Sequence, residues 1–209
     1  MISQEANIKF WDKIAEKYSR TPVPNEAIYQ KKLELTREHF KKDSKVFEFG
    51  CGTGTTAIHH SPYVKHIDAI DISENMLEIA QKKARDKNIE NITFLKSSIE
   101  DFQAEVETYD VVLAMSILHL LEDKEEAIDK VFKLLKPGGV FISSTACIRE
   151  KIPFFGAISK IGQLFRLMPL VSSFSHKQFK NTLINANFSI DHDWRPNKSM
   201  VAFIIAKKP

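Results

Sequence analysis

The chain has 209 residues, and its 43% hydrophobic and 27% charged content is ordinary for a globular domain. Lysine and arginine number 30 and aspartate and glutamate 27, so the net charge of +3 is too small for a general nucleic-acid-binding surface. The longest uncharged apolar runs, 111–121 and 138–148, are too short to span a membrane, and residues 1–10 lack the apolar segment of a signal peptide. The length predicts a single domain. Two cysteines are too few for a disulfide framework, so we expect the protein in the reducing cytoplasm.

The first 43 residues are predicted to form a helical cap. Ile8, Trp11 and Tyr18 belong to a set of apolar residues at helical spacing, and the Thr21–Pro24 stretch ends that helix. A second helix is expected from Glu26 to about Lys41.

Beyond the cap, strand-type and helix-type segments alternate. The predicted strands are, in chain order, Val46–Phe49, His66–Ile72, Ile92–Leu95, Tyr109–Met115, Val140–Ala146, Ser189–Trp194 and Met200–Ala206. The residues expected to cap the intervening helices are Ser73, Asp123 with Glu126, and Ser175 with Gln178. Lys136–Gly139 is expected to end the helix that precedes the fifth strand.

This alternation predicts an α/β fold with a doubly wound, mostly parallel seven-stranded sheet. The short connection at Pro196 and Asn197 makes the last two strands an antiparallel hairpin. We expect a single domain over 1–209. Its parts are the N-terminal helical cap 1–43, the core 45–146, a helical insertion after strand five at 149–174, and the final helix and strands at 175–209.

A glycine-rich stretch, Glu48–Gly54, leaves a predicted strand and enters a predicted helix, with glycine at alternate positions. Glycine lets the backbone turn tightly and lets a ligand approach the main chain. Asp71 ends the next strand, where an acid in a doubly wound sheet accepts hydrogen bonds from both ribose hydroxyls. The ordered set of strand, glycine loop, helix, strand and acid predicts a site for a ribose-containing ligand.

Two alternatives compete with this interpretation. A dinucleotide-binding loop has glycine at its first, third and sixth positions, whereas the sixth position counted from Gly50 is Thr55. The carboxylate of Glu48 would also repel a pyrophosphate, and it would suit a ligand with an ammonium group. The other alternative is a glycine-rich turn that binds no ligand.

Three segments together, Glu48–Gly54, Asp71 and Leu135–Gly139, resemble the motifs of Rossmann-like S-adenosylmethionine-dependent methyltransferases, over about Val46 to Ala146. Within that family, the segment Ala114–Leu121 is similar to the one after strand four in quinone-biosynthesis methyltransferases. The resemblance implies transfer of a methyl group from S-adenosylmethionine to a small molecule at oxygen, nitrogen or sulfur, with S-adenosylhomocysteine as product.

The resemblance also implies the cofactor-binding residues. They are Tyr18, Glu48, Gly50, Cys51, Gly52, Gly54, Asp71, Ile72, Met76, Ser98, Ile99, Met115 and Ser116. Glu48 and the glycine loop would hold the methionine part, Asp71 the ribose, and Ile72 and Met76 the two faces of the adenine. Met115 and Ser116 would lie below the sulfonium, and Tyr18 would close over the cofactor.

One position departs from the family pattern. The family usually has an acid, which accepts a hydrogen bond from the adenine amino group, where this chain has Ser98. Either Ser98 fulfils this role more weakly, or Glu100 or Asp101 replaces the missing acid.

His119 is the candidate catalytic base, because it follows the predicted fourth strand at the edge of the sheet where ligands bind. The alternative is a histidine that only packs against the following helix. Methyl transfer from a sulfonium does not always need a base, since the cofactor supplies the chemistry and the protein supplies position and desolvation. Cys51, Cys147 and the scattered histidines lack metal-ligand spacing, so we predict no metal.

The insertion combines basic and aromatic residues and is expected to cover the substrate. Its apolar residues at helical spacing are Ile158, Ile161, Leu164, Phe165 and Met168. Three interpretations are a lid helix packed on the domain, a pocket for an apolar or anionic substrate, and contact of 151–174 with an anionic membrane surface. The cap aromatics Phe10, Trp11, Tyr18 and Tyr29 would form the opposite wall, or they belong to the core.

Amino-methylating DNA enzymes have an Asn/Asp-Pro-Pro-aromatic stretch after strand four, whereas this chain has Met115–Leu118 there. Nucleic-acid substrates are therefore not expected, with a small RNA target as the alternative. The sequence therefore predicts a small-molecule methyltransferase. A nicotinamide-dependent oxidoreductase and a non-catalytic S-adenosylmethionine-binding regulatory protein are the alternatives.

Overall fold

The computed structural model describes residues 4–150, 152, 169–196 and 199–209. Its helices are α1 (Gln4–Arg20), α2 (Glu26–Arg37), α3 (Thr55–His60), α4 (Glu74–Asp86), α5 (Lys124–Leu134) and α6 (His176–Asn185). Its strands are β1 (Lys45–Phe49), β2 (His66–Asp71), β3 (Ile92–Lys96), β4 (Tyr109–Met115), β5 (Leu135–Ala146), β6 (Ser189–Trp194) and β7 (Val201–Lys207).

The strands form one seven-stranded sheet in the order β3-β2-β1-β4-β5-β7-β6. Neighbours from β3 to β5 are parallel, whereas β7 runs antiparallel to both β5 and β6. The α/β class, the mostly parallel sheet and the C-terminal antiparallel hairpin are therefore confirmed. Because β1 lies between β2 and β4, the chain leaves β1 at the point where the winding of the sheet reverses.

The predicted helix caps are present. The Ser73 side chain accepts from the backbone N–H of Met76, and the Asp123 side chain accepts from that of Glu126. Ser175 and Gln178 exchange both bonds of a capping box. These side chains satisfy backbone donors that a helix leaves unpaired in its first turn, which is why they mark helix starts reliably.

Two predicted boundaries were wrong. Helix α2 ends at Arg37 and not near Lys41, because the N–H groups of His39 and Phe40 turn back to carbonyls three residues earlier. Strand β5 begins at Leu135, before the Gly138–Gly139 pair that was expected to separate helix from strand. Gly138 has φ 76° and donates to the carbonyl of Lys208, so the C-terminal tail provides a pairing partner that the local sequence does not show.

Helices cover both faces of the sheet, so the central strands are buried on both sides. On one face Phe47 stacks on Phe102 and Tyr109, with ring centroids 4.4 and 5.2 Å apart. On the other face Ala57 of α3 and Leu77 of α4 belong to the cluster beneath β1 and β2. This packing fixes the carboxyl ends of the strands, from which the loops of the site emerge.

Most of the predicted insertion, residues 151 and 153–168, lies outside the described residues, and so does its predicted helical face. The stretch that follows is tied to the turn after β4: Ser172 N–H donates to the carbonyl of His119 at 2.8 Å, and Ser172 Oγ donates to that of Leu121 at 2.6 Å. Within the described residues, none of the helices is both long enough and apolar enough to cross a membrane.

Candidate functional site

A cavity of about 610 Å³ opens at the carboxyl ends of β1, β2 and β4, where ligands bind in doubly wound sheets. Of the residues predicted to bind the cofactor, those that line this cavity are Tyr18, Gly50, Gly52, Asp71, Ile72, Met76, Ser98, Ile99, Met115 and Ser116. Glu48, Cys51 and Gly54 are not among its described lining residues. Residues from five separate parts of the chain thus meet around one space.

The glycine loop is held between the turn after β4 and helix α4. A Cβ on Gly50 would lie 2.5 Å from Cγ1 of Ile117, and one on Gly54 would lie 2.7 Å from Cβ of Ala80. Both residues have positive φ, 65° and 71°, which an L side chain disfavours. Since only glycine fits, the loop brings bare main chain to the cavity at Gly50 and packs closely on α4 at Gly54.

Asp71 lines the cavity at the end of β2. Its Oδ2 accepts the N–H of Gly52 at 2.8 Å, and its Oδ1 accepts the N–H of Ser73 at 2.9 Å. Burial raises the pKa of Asp71, and these backbone donors oppose the rise. A carboxylate oxygen can accept more than one hydrogen bond, so this anchored carboxylate can still receive hydroxyl donors from a ligand.

Glu48 lies behind the glycine loop and is 1% exposed. Burial, with Asp71 nearby, raises the pKa of its carboxyl to about 8. The N–H of Ala57 bonds to the carboxyl, but Oε2 has no hydrogen-bond partner among the described residues. A buried oxygen without a partner calls for an explanation, and a positively charged ligand group near the loop would supply one.

Two cap aromatics lie at the cavity and two do not. Trp11 and Tyr18 line it and meet edge to face, with ring centroids 6.3 Å apart. Tyr18 is 49% exposed, and a Cβ on Gly52 would lie 3.8 Å from its Cε1. Phe10 packs on Trp11, while Tyr29 packs on His59. Of the four cap aromatics, Trp11 and Tyr18 are therefore the two found among the described lining residues.

The region after β3 contains Ser98, which stands where the family has an acid, and the two acids considered as its replacement. Ser98 Oγ donates to Oδ2 of Asp101 at 2.8 Å, and the N–H of Asp101 donates back to Ser98 Oγ at 3.1 Å. Ser98, Glu100 and Asp101 all line the cavity. The structure therefore places a carboxylate directly beside the serine that stands where an acid was expected.

His119 follows β4 as predicted but is not among the described lining residues of the cavity. Its Nδ1 lies 3.2 Å from Oγ1 of Thr145 on β5. Burial lowers its pKa to about 4, so the ring is neutral at neutral pH. Its neighbours Leu120 and Leu121 do line the cavity. No cluster of three potential metal ligands occurs within the described part of the chain.

Sequence reasoning missed much of the outer wall. The additional lining residues are Gln4, Asn7, Phe49, Ser97, Ile117, Leu120, Leu121, Glu122, Asp123, Glu126, Pro169 and Leu170. The helical spacing of Gln4, Asn7 and Trp11 was a usable signal, because it puts all three on one face of α1. Six carboxyl residues and no lysine, arginine or histidine occur among the described lining residues.

Comparison with known proteins gives a consistent result. The profile of a family described as "Methyltransferase domain" matches residues 40–194. Demethylmenaquinone methyltransferase of Leptospira interrogans is 33% identical over 143 residues, which is 64% of this chain and 57% of that protein. Ubiquinone biosynthesis O-methyltransferase of Rickettsia bellii is 28% identical over 129 residues, 61% of this chain and 53% of that protein. The chain thus spans about half the length of these curated relatives.

Among solved structures, the YcgJ protein from Bacillus subtilis superposes with a TM-score of 0.71 at 17% identity, covering 86% of this chain and 98% of that one. At this identity the likeness concerns the fold alone.

Proposed function

The chain belongs to the methyltransferase domain family, and we propose that it transfers the methyl group of S-adenosylmethionine to a small-molecule acceptor. The observation on which this depends is the cavity at the carboxyl ends of β1, β2 and β4, where the glycine loop and Asp71 meet. The relatives named above act, by their names, in the biosynthesis of small molecules, which supports an acceptor of that kind.

The residues present fit the cofactor. Gly50 and Gly52 allow close approach to the main chain, and Asp71 has lone pairs for ribose hydroxyls. The Oε2 of Glu48, which has no hydrogen-bond partner in the described part of the chain, fits a nearby positive charge, such as the ammonium of the methionine part. When bound, S-adenosylmethionine supplies an electrophilic methyl group.

The protein's own contribution is position and desolvation. Met76 and Ile72 offer apolar contacts to a flat base, and Asp101, beside Ser98, is the candidate acceptor for the adenine amino group. Trp11 and Tyr18 line the cavity and would shield a bound cofactor from water by closing over it. When the site holds the acceptor atom in line with the methyl group, a bimolecular reaction becomes effectively unimolecular. This positioning can supply a large part of the rate enhancement.

The described lining residues of the cavity indicate which charge the acceptor can carry. Asp71 and Asp101 are assigned to the cofactor. The other carboxyl residues of the wall, Glu100, Glu122, Asp123 and Glu126, have no described basic partner on it and disfavour an anionic acceptor group in contact with them. The basic residues Lys151, Lys160 and Arg166 of the insertion lie outside the described residues. An acceptor with a neutral or cationic reactive end therefore suits this wall better than the anionic one considered from the sequence.

Calorimetry with S-adenosylhomocysteine and with NAD tests the proposal. We expect the first to bind and the second not to, and Asp71→Ala to weaken S-adenosylhomocysteine binding by about 1–3 kcal/mol, because hydrogen bonds to a charged group are lost. Glu78→Ala, which removes an exposed carboxylate on α4 outside the cavity, is the matched control. Tight binding of NAD alone would overturn the proposal.

A screen of metabolite extracts with an isotopically labelled methyl donor then tests turnover. Labelled product identifies the acceptor and the atom that is methylated. Cofactor binding without any labelled product would favour the non-catalytic regulatory alternative.

A further inference from the structure

Helix α1 forms one wall of the cavity. Gln4, Asn7, Trp11 and Tyr18 line it, and their spacing places them on one face of the helix. The helix packs mainly on α4. The position of α1 relative to α4 therefore decides how closely Trp11 and Tyr18 approach anything bound in the cavity.

One residue of α1, Asp12, makes three hydrogen bonds to the start of α4. Its Oδ1 accepts from Ser73 Oγ at 2.6 Å and from the N–H of Asn75 at 3.3 Å. Its backbone carbonyl accepts from Nδ2 of Asn75 at 3.1 Å. A carboxylate is favoured here because the N-terminus of a helix bears unpaired N–H groups and a partial positive charge.

The same serine connects Asp12 to the predicted ribose site. Ser73 is fully buried, and its N–H donates to Oδ1 of Asp71 at 2.9 Å while its Oγ donates to Asp12. The other oxygen of Asp71 accepts from Gly52 of the glycine loop. A continuous series of short contacts thus runs from the glycine loop through Asp71 and Ser73 to α1.

Asp12 is not among the described residues that line the cavity, so its effect on a ligand must be indirect. We propose that Asp12 is a positioning residue that holds α1 against α4 and couples occupancy of the cofactor site at Asp71 to closure of Trp11 and Tyr18 over it. This inference rests on the proposed function, since it takes S-adenosylmethionine as the ligand of Asp71. The inference adds to the proposed function a residue, Asp12, that influences cofactor affinity without lining the described wall of the cavity.

The test uses the full chain and S-adenosylhomocysteine as the probe. Its affinity is measured by calorimetry, and the protection of α1 amides by hydrogen exchange with and without the ligand. In the wild type we expect the ligand to raise the protection of α1. Asp12→Ala should weaken affinity about tenfold and abolish that gain in protection, because the two hydrogen bonds that the carboxylate accepts from the start of α4 are lost.

Two further variants separate the coupling from a general loss of structure. Asp12→Asn retains an oxygen that can accept from Ser73, so it should restore most of the affinity and of the protection. Glu16→Ala removes an exposed carboxylate from the same helix, which pairs with Arg20 on the surface, and should leave both readouts unchanged. If Asp12→Ala does not fold, Asn75→Ala removes one of the three bonds and should give an intermediate loss.

The outcomes distinguish this inference from the proposed function. Wild-type affinity and wild-type protection of α1 in Asp12→Ala would overturn the coupling while leaving the proposed function intact. Failure of the wild-type protein to bind S-adenosylhomocysteine would overturn the proposed function, and the coupling with it.

Discussion

Glu48 is a residue whose burial changes its acid–base chemistry. It is buried, and one of its oxygens has no partner among the described residues. Burial and the proximity of Asp71 raise its pKa to about 8, so the carboxyl is protonated at neutral pH in the folded, ligand-free protein. The sequence marked this glutamate by its place before the glycine loop, but its burial and its unpaired oxygen follow only from packing.

The raised pKa of Glu48 predicts how stability depends on pH. The unfolded chain releases this proton near pH 4.5, whereas the folded protein keeps it until about pH 8, so the folded state binds more protons in that interval. We therefore expect the free energy of unfolding of the ligand-free protein to fall as pH rises from about 4.5 to about 8, by at most about 1.4 kcal/mol per pH unit from this group.

Denaturant unfolding at a series of pH values measures this slope, and Glu48→Gln should reduce it. Asp71, whose pKa is also raised, contributes in the same direction and remains in that variant. Glu78→Gln, an exposed change on α4, is the control and should keep the wild-type slope. An unchanged slope in Glu48→Gln would contradict the assignment.

His119 is a second residue where burial alters the chemistry. Its pKa of about 4 leaves the ring neutral and able to accept a proton at neutral pH, although such a ring is a weak base. If it is the base, His119→Ala slows methyl transfer to the acceptor found in the screen, with little change in S-adenosylhomocysteine affinity.

The pH profile provides an independent check on His119. A base with this pKa makes kcat/KM fall as pH drops through about 4 and not near the ordinary 6.5. His59→Ala, on α3, serves as the control variant and should retain wild-type activity. Full activity of His119→Ala would remove this residue from the mechanism and leave it as a structural contact to Thr145.

At the scale of elements, the glycine loop fits between its neighbours only because glycine occupies particular positions. Gly54 and Gly138 both have positive φ, 71° and 76°. A Cβ on Gly54 would lie 2.7 Å from Ala80, whereas one on Gly138 would have nothing within 4 Å. Alanine at Gly138 therefore tests backbone strain by itself, whereas alanine at Gly54 tests backbone strain together with steric crowding.

Replacement by alanine should show this difference. Gly138→Ala should cost about 1–2 kcal/mol of unfolding free energy, from the left-handed backbone alone. Gly54→Ala should cost about 1–3 kcal/mol more, because α4 must also move away from the loop. Denaturant unfolding of both variants measures the difference, and equal losses would contradict the close packing of the glycine loop on α4.

Helix starts were easier to predict than element ends. Ser73, Asp123 and Ser175 were identified from sequence because a capping side chain bonds to a backbone donor two or three residues ahead. The start of β5 could not be predicted, because its first residues pair with the distant Tyr109 and with the C-terminal tail. Local patterns describe local bonds, and a strand's partner lies elsewhere in the chain.

At the scale of the whole molecule, the alternation of strands and helices predicted the α/β class and the parallel core. The order β3-β2-β1-β4-β5-β7-β6 places the glycine loop of β1 next to the ends of β2 and β4. This juxtaposition makes one cavity from segments as distant as Tyr18 and Ser116. The family match over 40–194 and the shared fold with YcgJ agree with that architecture.

The sequence by itself predicted the fold class and the loop and acid around which the cavity forms, because backbone geometry and charge require their residue types at fixed positions along the chain. The family followed from the resemblance of these motifs to known methyltransferases and from the family match. The tertiary structure decided three further points: that Asp101 stands beside Ser98, that His119 bonds towards Thr145, and that Asp12 joins α1 to α4. These contacts bring together residues that are close in space and unmarked by any periodic pattern, so only the packed chain reveals them.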